Sequence, residues 1–377
     1  MESRELIQRG FSRRQVGRIA TLLGAGATLP FFNEAALAQR AASRNRDYGE
    51  GAVRIGSNEN PLGPCPEALE AIYNVAKKGG RYGGAESNEF PKLAAEMEGL
   101  KQDYVAPYAG SSDPLFRATC AFVSPTRGLV MGDPGYESAA SAASFIGAKV
   151  KRVPLTKDYK HDVKAMLAAD PQAGVYYICN PNNPSGTLTP KEDIAWLVAN
   201  KPAGSILLLD EAYIHFSKAE SGTSMVAADK DVIVLRTFSK LYGMAGLRAG
   251  LAMARPDLLA KMRSWGSGML PVTGMAGAAA SLKVKNLIED RRKINADVRA
   301  ATMDFLASKN IKLVPSDSNK FMMDAQQPGN ELVRKLAEQK VYIGRVWPIW
   351  PNHVRVTVGT AEEMLKFREA LMKVWNS

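Results

Sequence analysis

The sequence predicts an α/β protein: a larger domain built on a mainly parallel sheet between helices, followed by a smaller α+β domain. Three observations carry that prediction. Apolar runs of strand length, Gly174-Val-Tyr-Tyr-Ile178, Ser205-Ile-Leu-Leu-Leu209 and Val232-Ile-Val-Leu235, recur through the middle of the chain. They are continuously apolar rather than alternating, as expected of strands buried on both faces. Helical stretches separate them, and such alternation marks a parallel sheet. From about residue 258 the texture becomes a long helical stretch, which opens the second domain.

A chain of 377 residues, 46% hydrophobic, is long enough for more than one compact unit and a large core. Cys65, Cys120 and Cys179 show no C-x-x-C spacing, so a disulfide framework is not expected. His161, His215 and His353 are scattered without metal-ligand spacing, and no metal is predicted. The net charge of +11 raises nucleic acid as a partner. That charge is spread along the chain with no long basic run, so it reads as a solvated surface and nucleic-acid binding is not predicted.

Residues 1–38 read as a signal peptide. Ser12-Arg13-Arg14 opens a basic patch, Ile19 to Phe32 is almost uncharged, and Ala36-Leu37-Ala38 is a small-x-small cleavage pattern. The apolar run is too short to span a bilayer, so no membrane span is predicted in the mature chain. The paired arginines resemble a twin-arginine signal, which carries proteins already folded and implies a periplasmic or otherwise exported location. The alternative is an amphipathic N-terminal helix of the mature fold.

Residues 39–69 read as an N-terminal arm and part of the small domain, 70–257 as the large domain, and 258–377 as the small C-terminal domain. Within the large domain, Pro190 to Asn200 is a helix with Thr189 as its predicted N-cap. The helical stretch of the small domain reaches about Ser308. Strand-like segments follow around 311–324 and 341–358, then a closing helix from Ala361 to Trp375. No internal repeat is visible.

Four segments each follow a predicted strand: Gly110-Ser-Ser-Asp113, Asn180-Pro-Asn-Asn-Pro-Ser-Gly186, Asp210-Glu-Ala-Tyr213 and Arg236-Thr-Phe-Ser-Lys240, with Gly246-Leu-Arg248 close behind. In open α/β sheets ligands sit beyond the carboxyl ends of strands, so these segments converge in space. Lys240, half withdrawn from water and near Arg248, is a usable imine-forming amine. Asp210 suits a protonated aromatic nitrogen. Ser111 and Ser112 at a helix N-terminus offer hydroxyls and free N–H groups to a phosphate, with Thr237, Ser239 and Arg248 closing that anion site. Amine, carboxylate and phosphate cradle together describe a pyridoxal-phosphate pocket. Taken singly each has a duller reading, as a surface lysine, a loop carboxylate or a helix cap; their order and spacing lift the assignment.

With these motifs the chain resembles the fold-type I pyridoxal-phosphate aminotransferases of class I/II, and within them the histidinol-phosphate aminotransferase-like branch. The resemblance runs from Ser57-Asn-Glu-Asn-Pro-Leu-Gly-Pro64 to Val354-Arg-Val-Thr-Val-Gly-Thr360. It implies a seven-stranded, mainly parallel sheet in the large domain. It also implies that Lys240 carries the cofactor as an imine and later shuttles the proton, while Asp210 keeps the pyridine nitrogen protonated. Asn183 and Tyr213 are the residues that hydrogen-bond the ring's 3′-oxygen, and Tyr136 is the one that stacks on the ring. Arg355 matches the arginine for the substrate's α-carboxylate, whose planar fork suits bidentate binding. Asn58 lies in the segment that folds over the substrate. Tyr82 matches the residue that reaches the partner subunit's phosphate, which implies a homodimer. Gly83-Gly84 departs from the proline usual after that tyrosine. In Gly344-Arg-Val-Trp-Pro-Ile-Trp350, Arg345 is a candidate for a distal anionic group or a structural ion-pair partner. Trp347 and Trp350 are candidates for walling an aromatic or cationic side chain, or ordinary core aromatics.

The resemblance implies transfer of an amino group from an L-amino acid or histidinol-phosphate-like donor to a 2-oxo acid. An exported enzyme has an uncertain supply of that acceptor. The alternative is therefore an exported pyridoxal-phosphate amino-acid oxidase, lyase or decarboxylase on the same scaffold. A non-catalytic cofactor-binding protein is a third reading, disfavoured by an intact Lys240 with its partners.

Overall fold

The computed structural model describes residues 3–24, 48–81, 83–266 and 268–375. Its centre is a seven-stranded sheet of β2 (Val105–Tyr108), β3 (Leu129–Asp133), β4 (Val150–Pro154), β5 (Val175–Cys179), β6 (Ile206–Asp210), β7 (Val232–Thr237) and β8 (Gly250–Met253). The order across the sheet is β2-β8-β7-β6-β5-β3-β4, and only β8 runs antiparallel to its neighbours. The apolar runs explain this placement. In β5, Val175, Tyr177 and Cys179 enter one core while Tyr176 and Ile178 enter the other. Leu208 and Leu209 of β6 divide in the same way. Both faces are thus covered by helices, and a strand with no polar face is stable only there.

The small domain has its own core, where Val53, Ile55, Phe321, Val354 and Phe367 meet. The strand β1 (Val53–Ile55) crosses from the arm to pair in parallel with β10 (Val341–Ile343). A second pair, β9 (Lys320–Asp324) with β11 (His353–Thr357), is antiparallel. The closing helix, Ala361–Val374, starts with a capping box in which Thr360 and Glu363 serve each other's backbone N–H.

Three structural observations bear on the sequence expectations. Pro256–Arg263 and Val272–Lys283, expected to open the small domain, pack on the large one, with Leu258 and Met262 in one of its cores and Met275 and Ala278 in the other. Small residues along Val272–Lys283 permit this close approach; a Cβ at Gly277 meets Ile72 at 2.9 Å. Second, Thr189 does not cap the helix Lys191–Asn200: its hydroxyl accepts from the His161 backbone N–H and its own N–H goes to Asn180. Third, Leu6, Phe11, Val16 and Ile19, from the region read as a signal peptide, lie buried in the large-domain core. They belong to α1 (Ser3–Gln8), α2 (Arg13–Gly24) and their connection. Arg9 donates to the carbonyls of Cys120 (3.0 Å) and Val123 (2.8 Å) at the end of the helix Ser112–Phe122. A cation is favoured at that negative end of a helix. Arg13 and Arg14 stand exposed. Ala36-Leu37-Ala38 lies outside the described residues. Among the described residues no helix is long and apolar enough to cross a membrane.

Candidate active site

The four motif segments converge beyond the strand ends on a cavity of ≈ 230 Å³. Lys240 lies half-buried just after β7, and its Nζ donates to the Ser57 carbonyl at 3.4 Å. The turn that presents it is tight. Gly243 sits at φ +69, and a Cβ there would lie 2.1 Å from the Gly63 carbonyl oxygen. No side chain fits in that space.

Asp210 closes β6, buried to 3% exposure. Burial pushes its carboxyl up to about 6, against hydrogen bonds from the Tyr177 phenol (2.9 Å) and the Ala212 N–H (3.1 Å) and the nearby charge of Lys320. A carboxylate so placed gains from a cationic partner in the cavity.

Facing it is the anion side. Ser111 is the N-cap of Ser112–Phe122 and makes no side-chain cap bond, so its hydroxyl is not spent on the helix. Arg248 bonds only neutral oxygens in its described contacts: Ser239 Oγ at 3.1 Å, the Ala245 carbonyl at 2.9 Å and the Ala109 carbonyl at 3.3 Å. Burial lowers the proton affinity of this guanidinium, which an incoming anion reverses. Gly110, at φ +86, makes room for it: a Cβ there would sit 2.1 Å from Arg248 Nη2. Thr237 donates its hydroxyl to Ser239 Oγ (3.0 Å) beside the same space. With Ser112 and Tyr136 also in the cavity wall, the residues present fit pyridoxal phosphate at its phosphate, ring nitrogen and aldehyde carbon.

On the third side lie the residues expected at the ring oxygen and substrate. Tyr213 and Asn183 line the cavity. Arg355 is fully buried on β11, donating to Asn183 Oδ1 (2.9 Å) and the Gly56 carbonyl (2.6 Å). The Asn58 side chain does not face the cavity. It is fully buried and braces the site, with its Nδ2 donating to the Tyr213 hydroxyl at 2.9 Å and its Oδ1 accepting from Thr357 at 3.2 Å. Its neighbours Ser57 and Glu59 line the cavity instead. Arg345 binds Glu137 with both terminal nitrogens, so it takes the ion-pair role rather than that of a distal anion site. Trp347 is buried beneath the guanidiniums of Arg345 and Arg355, 4.3 and 5.3 Å from its ring. Tyr82 lies outside the described residues.

Tyr177 and Lys320 belong to the site although no motif of the sequence marks them. In the sequence Tyr177 is one residue of an apolar strand, and the pairing of β5 with β6 brings it to Asp210. Lys320 is fully buried at the start of β9, its Nζ 3.1 Å from the Tyr213 ring centroid.

Residues 50–371 match the family described as aminotransferase class I and II. The chain is 33% identical to histidinol-phosphate aminotransferase 1 of Nitrosococcus oceani over 337 residues, 87% of this chain and 90% of that protein. It is 30% identical to an aromatic amino acid aminotransferase of Cutibacterium acnes over 329 residues, 86% of this chain and 93% of that protein. The crystal structure of histidinol-phosphate aminotransferase from Sinorhizobium meliloti, in complex with pyridoxal-5′-phosphate, superposes with a TM-score of 0.80 at 26% identity, covering 93% of this chain and 96% of that one. With a lysine, a buried carboxylate and an anion cradle on one cavity, and a family match across nearly its whole length, the chain belongs to the class I and II aminotransferases.

Proposed function

We propose that this chain, a pyridoxal-phosphate-dependent aminotransferase, moves the amino group of an L-amino acid or a histidinol-phosphate-like donor to a 2-oxo acid. The observation that carries this reading is the meeting of Lys240, Asp210 and Arg248 around one cavity with Arg355 beside it. Pyridoxal phosphate, when bound, supplies an aldehyde carbon for the lysine or the donor and an electron-withdrawing ring. Asp210 would hold a proton at the ring nitrogen, and Ser111, Ser112, Ser239 and Arg248 would hold the phosphate. Arg355 orients the donor's carboxylate, or the phosphate that histidinol phosphate carries near its amine. Lys240 would move the proton at the donor's α-carbon.

The test is a single-turnover absorbance scan of the holoprotein against a panel of amino acids and histidinol phosphate, under air and under nitrogen. Conversion of the visible band to a stable aminated cofactor, reversed by a 2-oxo acid, is the expected result. Turnover that continues in air and stops under nitrogen identifies an oxidase instead. Lys240→Ala should lose the imine absorbance and turnover while still binding cofactor.

The reading extends to assembly and location. A homodimer, with Tyr82 reaching the partner subunit's phosphate, rests on the resemblance and is tested by sedimentation and by the cofactor affinity of Tyr82→Phe. Export rests on the exposed pair Arg13-Arg14 and the Ala36-Leu37-Ala38 box. Peptide mapping of the N-terminus in periplasmic and cytoplasmic fractions tests it, and a full-length chain confined to the cytoplasm rejects it.

A further inference from the structure

Lys320 has no part in the reading above, yet it is among the most enclosed charges of the molecule. Its side chain is fully buried. The Nζ donates to Ser318 Oγ at 2.7 Å and lies against the face of Tyr213, 3.1 Å from the ring centroid. Lys240 approaches the same ring, its Nζ 5.8 Å from the centroid. One phenol, whose hydroxyl accepts from Asn58 at 2.9 Å, is therefore shared by two ammonium groups. They come from different domains: Lys240 follows β7 of the large sheet, and Lys320 opens β9 of the small domain. Burying a lysine costs several kcal/mol unless its surroundings offset it. The Tyr213 face, the Ser318 hydroxyl and the Asp210 carboxylate are among the groups that offset it. A methionine or leucine fills a strand start in an apolar core without that cost, so the charge itself calls for a role.

Its field reaches the cofactor space. The charge of Lys320 acts on Asp210, favouring the ionised carboxylate, and on the Cys179 thiol. The other charged groups around Tyr213 and Lys240 are Arg248 before β8, Arg355 on β11 and Glu59 of the arm. A second cation beside a reactive lysine favours the neutral, nucleophilic form of its nitrogen.

Resting on the aminotransferase reading, we propose that Lys320 is a positioning residue for the reaction: an ammonium delivered from the small domain onto Tyr213, which pins the phenol and opposes protonation of the imine nitrogen that Lys240 forms with pyridoxal phosphate. A donor then meets an imine that stays unprotonated at neutral pH and is available for the proton that the donor's ammonium must give up, and the site is primed only when the small domain is in place.

The experiment is a pH titration of the visible band of the holoprotein, with Lys320→Met, Lys320→Gln and Lys320→Arg beside the parent chain. Either neutral variant should move the band's midpoint upward by about one pH unit, a tenfold change in the protonation equilibrium. Lys320→Arg should stay near the parent value. Combining Lys320→Met with Tyr213→Phe should give a smaller shift than the two single changes added, because both act through one phenol. Thermal melting of the apoproteins reports folding independently. A folded neutral variant with an unmoved midpoint overturns the proposal and leaves Lys320 a packing residue. A parent band that does not depend on Lys240 defeats the underlying reading instead, so the two failures are distinguishable.

Discussion

Arg345 and Glu137 are joined by two parallel hydrogen bonds of 2.7 Å each, from the two terminal nitrogens of one to the two carboxylate oxygens of the other. The pair ties the loop after β10 in the small domain to the residue following Tyr136 in the large one. Both side chains are largely enclosed, so the bond is stronger than a surface ion pair. Arg345→Met is expected to destabilise the protein by about 1.5–3 kcal/mol. It should leave the cofactor's visible band unchanged, because Arg345 is not in the cavity wall. Chemical denaturation beside an absorbance spectrum checks both halves, and a lost band with unchanged stability contradicts the assignment.

The carboxyl of Asp210 gives a pH signature to the apoprotein. Its folded value, about 6, lies above the ordinary 3.8, with burial as the main cause. The folded state therefore binds this proton more tightly than the unfolded chain does. The resulting cost is absent well below pH 3.8, grows between about 4 and 6, and is constant above 6. Two units correspond to about 3 kcal/mol. Apo Asp210→Asn should thus melt higher than the parent apoprotein at pH 8, with the gap closing as the pH falls below 6, while its affinity for pyridoxal phosphate drops. Equal melting curves at pH 8 would falsify this view of Asp210.

Removing Arg236 isolates a buried acid. Its guanidinium holds Glu211 (2.7 Å) and Glu98 (2.9 Å), and it donates to Ser221 at 2.7 Å. Glu211 is only 2% exposed. Arg236→Leu leaves that carboxylate without its cation, at an expected cost of about 3–5 kcal/mol. Arg236→Leu combined with Glu211→Leu should recover much of the loss, which urea melts of the single and double variants would establish.

The docked N-terminal helices make a prediction about length. A chain beginning at Gln39 lacks Leu6, Phe11, Val16 and Ile19, and each buried side chain of this kind contributes about 1.5–3 kcal/mol relative to exposure. It also loses the two bonds of Arg9 to Cys120 and Val123. The shortened protein should melt several degrees lower and bind more of an apolar dye than the full chain. An unchanged melting temperature means that α1 and α2 add nothing to the folded domain.

Much of this molecule was legible in its residues, and the reasons are local. A run such as Ile206–Leu209 has no polar face, so it declares a strand in the middle of a covered sheet, and Asp210 at its end then declares a site. Lys240 and Arg248 were legible because short spacing after one strand leaves little freedom in where they point. Residues whose meaning comes from distant partners were not. Glu137 and Arg345 are brought together only when the domains dock, and Lys320 acquires its role from Tyr213 on another domain. Asn58 carries the right residue type, but the fold turns its amide toward Tyr213 and Thr357 rather than into the cavity. Thr189 shows the competing case: a good capping residue, claimed instead by His161 and Asn180.

Because β8 returns antiparallel beside β7, Lys240 and Arg248 occupy a single connection, closed by the bond from the Phe238 amide to the Ala249 carbonyl (3.0 Å). The covalent and ionic holds proposed for the cofactor therefore lie within one hairpin. Opening that hairpin loosens both together. Cofactor escape and solvent exchange at the Phe238 amide should share a rate, making the lifetime of the loaded enzyme a property of one loop's breathing rather than of the whole domain's unfolding.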